Sequence, residues 1–293
     1  MSPDDQGFQR HRDRPRPADL NDAVDTATIG QLAHLRVPTG CLASRLSGGP
    51  TLRLTAAEHW PSQSGECAVL SLVLAALFFA GIHLGIAGTA MRDRAIGILG
   101  ENGYRGAFAV ASVIGLGWLV AAYNRAPYLG TWGMLEWWKP VAIILMLPAS
   151  LLVVIGLTTP NPTSVAQEGR VGQPPQGIVR ITRHPFLTGV GLWALLHLIG
   201  NGDVASVVFF ATWAIVALAG TVSIDAKRRR LLGDAWEPFA AQTSIVPFAA
   251  IAAGRNRFIP REIGVWRWAI ALLAYGLMLG GHGPVLGVSP FPL

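Results

Sequence analysis

Six long apolar runs, separated by polar and charged loops, fill most of residues 67–293. They occupy residues 68–90, 107–123, 141–157, 185–199, 204–224 and 266–281. A helix of about 20 predominantly apolar residues is long enough to cross the hydrocarbon core of a bilayer. The pattern therefore predicts an all-α fold, a polytopic integral-membrane helix bundle with about six transmembrane helices.

The fourth apolar run has clear signals at both ends. Pro185 marks its start, because a proline in the first turn of a helix loses no intrahelical hydrogen bond. The cluster Gly200-Asn201-Gly202 marks its stop. The fifth run begins at Val204, so only a short turn separates the two, and we expect them to form an antiparallel hairpin.

The composition supports the same fold class. The chain is 51% hydrophobic and only 14% charged, which is too apolar for a water-soluble domain of this size. Its formal net charge is +6, and the excess lies in residues 67–293, which contain 16 Lys or Arg against nine Asp or Glu. These charges fall in loops between apolar runs, so we predict a lipid bilayer as the surroundings and no nucleic-acid partner.

The distribution of Lys and Arg among the loops predicts the orientation. Loops 91–106, 158–185 and 225–265 contain three, three and seven of these residues, whereas loops 124–140 and 200–203 contain two and none. By the positive-inside rule the first group is cytoplasmic. We therefore expect a multi-pass protein of the cell inner membrane.

The N-terminal region differs from the rest of the chain. Residues 1–66 carry seven Arg and eight Asp or Glu and show neither a helical nor a strand period. We interpret 1–66 as a disordered polar N-terminal extension and 67–293 as the transmembrane domain. The many acidic residues argue against a transit peptide.

Four histidines lie within or at the ends of the apolar runs: His83, His184, His197 and His282. The predicted topology brings His83 and His184 toward the cytoplasmic face and the other two toward the opposite face. A metal-ligating side chain inside a span is costly unless it is functional, so His83 and His184 are candidate axial ligands of a b-type haem. Each histidine could instead bond a carbonyl or a headgroup, and for His197 and His282 that structural role is favoured.

A basic cluster surrounds the RHP sequence. Arg183, with His184 and Pro185, shares the predicted cytoplasmic side with Asp225 and the KRRR run that follows it, and such a cluster could bind an anionic group of a cofactor. The pattern resembles integral-membrane methyltransferases of the isoprenylcysteine and phospholipid type, which implies S-adenosylmethionine as cofactor. The tyrosine that follows RHP in those families is absent here. The alternative for KRRR is a topology anchor near anionic headgroups.

Longer stretches resemble a different family. RHPFLTGVGLWALLHLIGNGDVASVVFF, preceded by HLGIAGTAMRDRAIGILGENGYRGAF and followed by the ending HGPVLGVSPFPL, is similar to the NnrU family of membrane proteins. The resemblance extends from about residue 68 to 293. Bacterial members are associated with denitrification, that is, with nitrite and nitric oxide reduction, and related plant and cyanobacterial proteins are 15-cis-zeta-carotene isomerases.

The resemblance also implies a cofactor, its ligands and a substrate. The isomerases depend on haem b, and the residues implied as its ligands here are His83 and His184, with His197 as a second candidate and Arg183 beside the site. An isomerase of this kind would hold an apolar polyene among its spans. The isomerases have a cysteine close to the RHP histidine as an alternative haem ligand. No cysteine lies close to RHP in this sequence, so an exchange between histidine and cysteine ligands is not expected. A non-enzymatic assembly or sensing protein is the third possibility.

Overall fold

The structure is a computed structural model that describes residues 63–292, and within this range all the regular elements are helical and no strand is present. The predicted disordered extension lies outside the described residues, except for 63–66, which begin the first helix. Glu66 stands in the first turn of that helix, where a carboxylate interacts favourably with the helix dipole.

Eight α-helices follow one another in the described range. They are α1 (Gln63–Ala80), α2 (Ala90–Arg125), α3 (Trp138–Thr158), α4 (Pro185–Gly200), α5 (Val204–Leu232), α6 (Glu237–Gln242), α7 (Ala249–Ala252) and α8 (Val265–Leu286). A π-helical stretch, Gly81–Ile86, continues α1. Short 3-10 turns occupy Glu168–Arg170, Gly177–Arg180, Gly233–Ala235 and Pro260–Glu262.

The six predicted apolar runs correspond to α1, α2, α3, α4, α5 and α8, which confirms the helical membrane bundle. Five of them are long and apolar enough to cross a membrane, and the sixth, α4, is a shorter apolar helix of 16 residues. At a rise of about 1.5 Å per residue α4 is roughly 24 Å long, less than the ~30 Å hydrocarbon core. The expectation of about six spans is thus refined to five full-length helices and one short one.

Two predicted loops are wrong in part. Residues 91–106 are helical, because α2 begins at Ala90 with the side chain of Thr89 accepting a hydrogen bond from the backbone N of Met91. Gly100, with φ 72°, interrupts the helical backbone inside this range. The fifth run was predicted to end near 224, yet α5 continues to Leu232. Hydropathy marks where a helix leaves the apolar region, not where its hydrogen bonding stops.

The bundle is arranged around α4. This helix packs between α3 and α5, while α1 packs against α2 and α5, and α8 packs against α3. The contact between α3 and α4 is close, because a Cβ at Gly189 would lie 2.6 Å from the carbonyl O of Ala149. Glycine at this position lets the two backbones approach each other.

The turn between α4 and α5 is the predicted hairpin. Asp203 caps α5, its carboxylate accepting from the backbone N of Ser206 at 3.0 Å. The loop before α3 packs onto this turn, with the backbone N of Thr131 donating to the carbonyl of Gly202 at 2.8 Å. We call this end of the bundle the hairpin end, and the opposite end, where α4 begins, the charged end.

Candidate functional site

His184 lies at the charged end, as the N-cap residue of α4 with Pro185 at the first helical positions. Its Nε2 donates to Oδ1 of Asp225 on α5 at 2.7 Å, and its side chain is 1% exposed. Both partners are therefore committed to a buried contact between α4 and α5.

Arg183 completes this contact. Its Nη1 donates to Oδ2 of Asp225 at 2.9 Å, and its Nη2 donates to the carbonyls of Thr243 and Ala240 at 2.7 and 3.0 Å. Burial lowers the pKa of the Arg183 guanidinium, and the Asp225 carboxylate opposes that shift. A guanidinium keeps its proton in proteins, so Arg183 is charged and Asp225 balances its charge.

Two further ion pairs lie at the charged end, in addition to the pair of Arg183 with Asp225. Arg180 donates from Nε and Nη2 to the two carboxylate oxygens of Glu262, at 2.6 and 2.9 Å, and this hydrogen bonding lowers the pKa of Glu262. Arg228 donates to Glu168 at 2.6 Å. We call the whole set the charged layer; its members are Glu168, Arg180, Arg183, His184, Asp225, Arg228 and Glu262.

The charged layer contains two residues that the sequence proposed for the cofactor site, the ligand candidate His184 and its neighbour Arg183. The Nε2 of His184 is held by Asp225 and the ring is almost fully enclosed, so in this arrangement His184 does not fit the role of a haem ligand. Arg183 has only its Nε without a partner in the described chain. Both side chains, with Asp225, contact protein groups where the methyltransferase hypothesis requires them to contact a cofactor.

His83 has a different environment. It lies in the π-helical stretch after α1. This backbone form is rare in proteins as a whole, and where it occurs it is often at a functional site. Its Nδ1 donates to the carbonyl of Phe79 at 2.8 Å, which leaves the proton off Nε2 and its lone pair available. The ring lies between Phe79 and Phe108, with centroid distances of 4.3 and 5.3 Å.

Three buried polar atoms near His83 lack a hydrogen-bond partner within the described residues. They are the hydroxyls of Tyr104 and Ser112 on α2 and the indole Nε1 of Trp213 on α5. Tyr104 and Ser112 flank Phe108 on one helical face, and Trp213 contacts Phe79 at 5.2 Å between ring centroids. Buried donors of this kind normally have a partner, so this region has the capacity to bind a further polar group.

His197 and His282 meet at the hairpin end. The Nδ1 of His197 donates to the carbonyl of Trp193 at 2.9 Å, and the Nδ1 of His282 donates to the carbonyl of Val288 at 2.7 Å. Their ring centroids are 6.3 Å apart and the ring planes differ by 17°. The prediction that these two histidines share one face is confirmed, while the pairing itself was not foreseen.

The grouping of His83 with His184 stays a prediction. Gly88, just after the π-helical stretch, lies against Ser223, close to Asp225 on α5, whereas the ring of His83 is linked through Phe79 and Trp213 to Trp193, which contacts His197. His83 and His184 have separate surroundings, one aromatic and one charged. Across residues 63–292 no group of three or more His, Cys, Asp or Glu is arranged to hold a metal ion.

An open apolar groove of about 420 Å³ lies between α4 and α5. It is lined by aliphatic side chains alone: Leu195, Leu198, Ala211, Ala214, Ile215, Leu218 and Ala219. The groove can accept a hydrocarbon chain, and it offers no group that would bind a polar ligand.

Comparison with known proteins gives one family and two curated relatives. A family model described as NnrU protein matches residues 71–290. The chain is 28% identical over 201 residues to 15-cis-zeta-carotene isomerase, chloroplastic, of Zea mays, covering 65% of the chain and 52% of that protein. It is 30% identical over 208 residues to the Arabidopsis thaliana protein of the same name, covering 67% of the chain and 53% of that protein.

The chain thus spans about half the length of the curated relatives it matches. No solved structure matches it. The match to the family model includes all six apolar helices, from within α1 to the residues after α8.

Proposed function

The chain belongs to the NnrU family, and from that premise we propose that it is an integral-membrane isomerase that rotates one double bond of an apolar polyene. The observation that carries the proposal is the similarity to two proteins named 15-cis-zeta-carotene isomerase over about two thirds of the chain. The apolar groove between α4 and α5 supports it, because a polyene has no polar group to be recognised and requires a hydrocarbon surface.

Haem b is the cofactor we propose, with His83 as its protein ligand. The free lone pair of Nε2, the aromatic walls of Phe79 and Phe108 and the unpaired hydroxyls of Tyr104 and Ser112 fit a flat apolar ring system that carries carboxylates. Bound haem would supply an iron centre that interacts with the polyene electrons and lowers the barrier to rotation.

The protein's own contribution would be to position the substrate and to exclude water. Leu198 lines the groove and also packs against the aromatic core that contains Phe79. A polyene in the groove would therefore lie against the same cluster of side chains that flanks His83. The bond that rotates needs no acid, base or nucleophile, which agrees with the purely aliphatic lining of the groove.

We also propose the cell inner membrane as the location. A role in nitrite and nitric oxide reduction, implied by the resemblance of the sequence to bacterial members, stays a prediction. An altered rate of nitrite reduction in cells that lack the protein, restored by the wild-type chain, would support that role.

The activity is tested with the full chain in lipid nanodiscs, supplied with haem and 15-cis-zeta-carotene, by chromatography of the carotene isomers. We expect loss of the 15-cis isomer, and at least tenfold slower loss with Ala219→Phe, which fills the groove. Ala269→Phe, at an exposed position of α8, is the matched control. A folded, haem-loaded protein that leaves the isomer unchanged would refute the proposed reaction.

A further inference from the structure

We propose that a polar pocket at the charged end of the bundle binds the phosphate group of an anionic ligand, held by Arg170 and Arg267. The pocket has a volume of about 110 Å³ and is formed by the loop after α3, by Phe239 of α6 and by residues at the start of α8. Its charged lining residues are Arg170, Arg267 and Glu262. The apolar groove proposed for the polyene shares no lining residue with it, so the two sites are separate.

Arg267 is held by three contacts and keeps one nitrogen for a ligand. Its Nε donates to the carbonyl of Thr158 at 3.2 Å, and its Nη1 donates to the carbonyl of Ile263 at 2.9 Å. The guanidinium also lies over the ring of Trp266, 4.6 Å from the ring centroid. Its Nη2 has no hydrogen-bond partner among residues 63–292. Because the side chain is already ordered, an anion that binds at Nη2 meets little cost in conformational entropy.

Arg170 is the second cation of the pocket. It ends the 3-10 turn that begins at Glu168, and its guanidinium makes no hydrogen bond, ion pair or ring contact within the part of the chain that the structure describes. Glu168 does not neutralise it, because that carboxylate accepts from Arg228 at 2.6 Å. A planar guanidinium presents N–H groups that match the oxygens of a phosphate, so the free Arg170 beside the ordered Arg267 suits this ligand.

Glu262, the acidic residue of the pocket, already has its own cation. Its two carboxylate oxygens accept from Nε and Nη2 of Arg180 at 2.6 and 2.9 Å, and Oε2 also accepts from the backbone N of Gly177 at 2.9 Å. Arg180 therefore balances the charge of Glu262. The charges of Arg170 and Arg267 stay uncompensated, and a pocket with an excess of one sign of charge attracts the opposite ion.

The size and the other walls of the pocket indicate the chemical group. A volume of about 110 Å³ suits a group of a few heavy atoms such as a tetrahedral phosphate, whereas pockets for drug-sized ligands and cofactors have about 300–1,000 Å³. The side-chain amides of Gln173 and Gln176 add further N–H donors. Prolines, whose φ is fixed, give the wall rigidity; they are Pro160, Pro162, Pro174 and Pro175.

The position of the pocket along the helices corresponds to the headgroup region of a membrane. It lies where α3 ends at Thr158 and α8 begins at Val265, and both helices are long and apolar enough to cross a bilayer. Trp266 is 50% exposed there, and tryptophan is enriched at membrane–water interfaces. The phosphate can belong to a lipid headgroup or to a soluble ion, because the same donors recognise both.

Titration calorimetry of the full chain in neutral detergent tests the pocket with two probes, sodium phosphate and the short-chain lipid dihexanoyl phosphatidic acid. We expect one equivalent to bind, and binding about tenfold weaker in Arg267→Gln and in Arg170→Gln, since each variant removes a charge-assisted hydrogen bond. Arg94→Gln is the matched control, because Arg94 is exposed and its side chain has no partner among the described residues. Arg170→Gln removes no contact within the described residues, so it keeps the test valid if Arg267→Gln does not fold.

The two probes also distinguish the sources of the phosphate. Binding of the lipid alone identifies a membrane headgroup as the ligand, and binding of sodium phosphate identifies a soluble anion. No binding of either probe at millimolar concentration would overturn the proposal, as would binding that both pocket variants weaken no more than Arg94→Gln does. Equal affinity for dihexanoyl phosphatidylcholine, whose headgroup has no net charge, would also overturn it. Carotene isomerisation is measured on the same preparations, so that the isomerase proposal and the phosphate pocket succeed or fail separately.

Discussion

The charged layer and the surroundings of His83, His197 and His282 use the same side chain in opposite ways. In the charged layer, His184 donates from Nε2 to a carboxylate and is enclosed by its partners. At the other three positions the ring donates from Nδ1 to a backbone carbonyl. The availability of Nε2 to a ligand thus depends on which nitrogen the fold engages, and not on how deep the histidine lies in the bundle.

The largest effect is expected at Asp225, because its replacement leaves two buried groups without their partner. Asp225→Ala should lower the free energy of unfolding by about 3–5 kcal/mol, since it leaves the Arg183 charge uncompensated. Unfolding in mixed micelles, followed by tryptophan fluorescence, measures it. Glu237→Ala is the control: it removes an ion pair with Arg229 whose side chains are 60% and 57% exposed, and should cost about 0–1 kcal/mol. Equal losses in the two variants would contradict the structural role of the charged layer.

The comparison of histidines is tested directly by two alanine substitutions. His184→Ala should lower the free energy of unfolding by about 1–3 kcal/mol, because Asp225 loses a buried hydrogen-bond donor. His83→Ala should remove the haem absorption band and, in haem-free protein, lower the free energy of unfolding by about 1 kcal/mol. Absorption spectra of haem-supplied protein and unfolding curves of haem-free protein measure the two effects separately. The opposite assignment, with the band lost only in His184→Ala, would restore the ligand predicted from RHP.

A third test concerns the contact between α3 and α4, the helix that begins after His184 and contains His197. Gly189→Ala places a methyl group against the carbonyl of Ala149, so we expect a loss of about 1–3 kcal/mol in the free energy of unfolding. Gly276→Ala, in α8 with no atom within 4 Å of the added Cβ, should instead raise it by up to about 1 kcal/mol. A neutral Gly189→Ala would contradict the close approach of the two backbones.

The smallest effect is the dependence on pH that Glu262 contributes. Hydrogen bonding from Arg180 lowers its folded pKa below the ordinary 4.5, so its contribution to stability is complete above pH 4.5 and is lost as the pH falls through the folded pKa. Unfolding curves of the wild type at several acidic pH values should show this loss. Glu262→Gln should be less stable at neutral pH and should have a shallower decrease below pH 4.5. An unchanged slope would mean that other carboxylates account for the acid sensitivity.

Apolar run length and helix-end signals were sufficient to predict much of the fold. The six helices, the start of α4 at Pro185 and the hairpin at Gly200 to Val204 followed from local features that a bilayer or a helix terminus requires. The start of α2 at Ala90 could not be predicted in this way. Its first turns are stabilised by polar contacts such as that of Arg92 with Glu101, and a hydropathy pattern does not show such contacts.

The candidate site was less predictable. Topology placed His83 with His184 and His197 with His282, yet it gave no information on which ring nitrogen is engaged. The hydrogen bond from His184 to Asp225 joins residues far apart in sequence. Several basic residues close to Asp225 in the sequence were equally possible partners for its carboxylate. His282 was set aside because it lies at a border, although its predicted face, shared with His197, was the signal that could have identified the pair.

The π-helical stretch around His83 also has a consequence for the length of this segment. Each residue advances an α-helix by about 100° in rotation, and a π turn accommodates one residue more than an α turn. Deleting Gly85 would therefore allow the stretch to become α-helical while Gly88 keeps its contact with Ser223. The direction of the His83 ring relative to α2 is therefore encoded by the number of residues in this segment as well as by their identity.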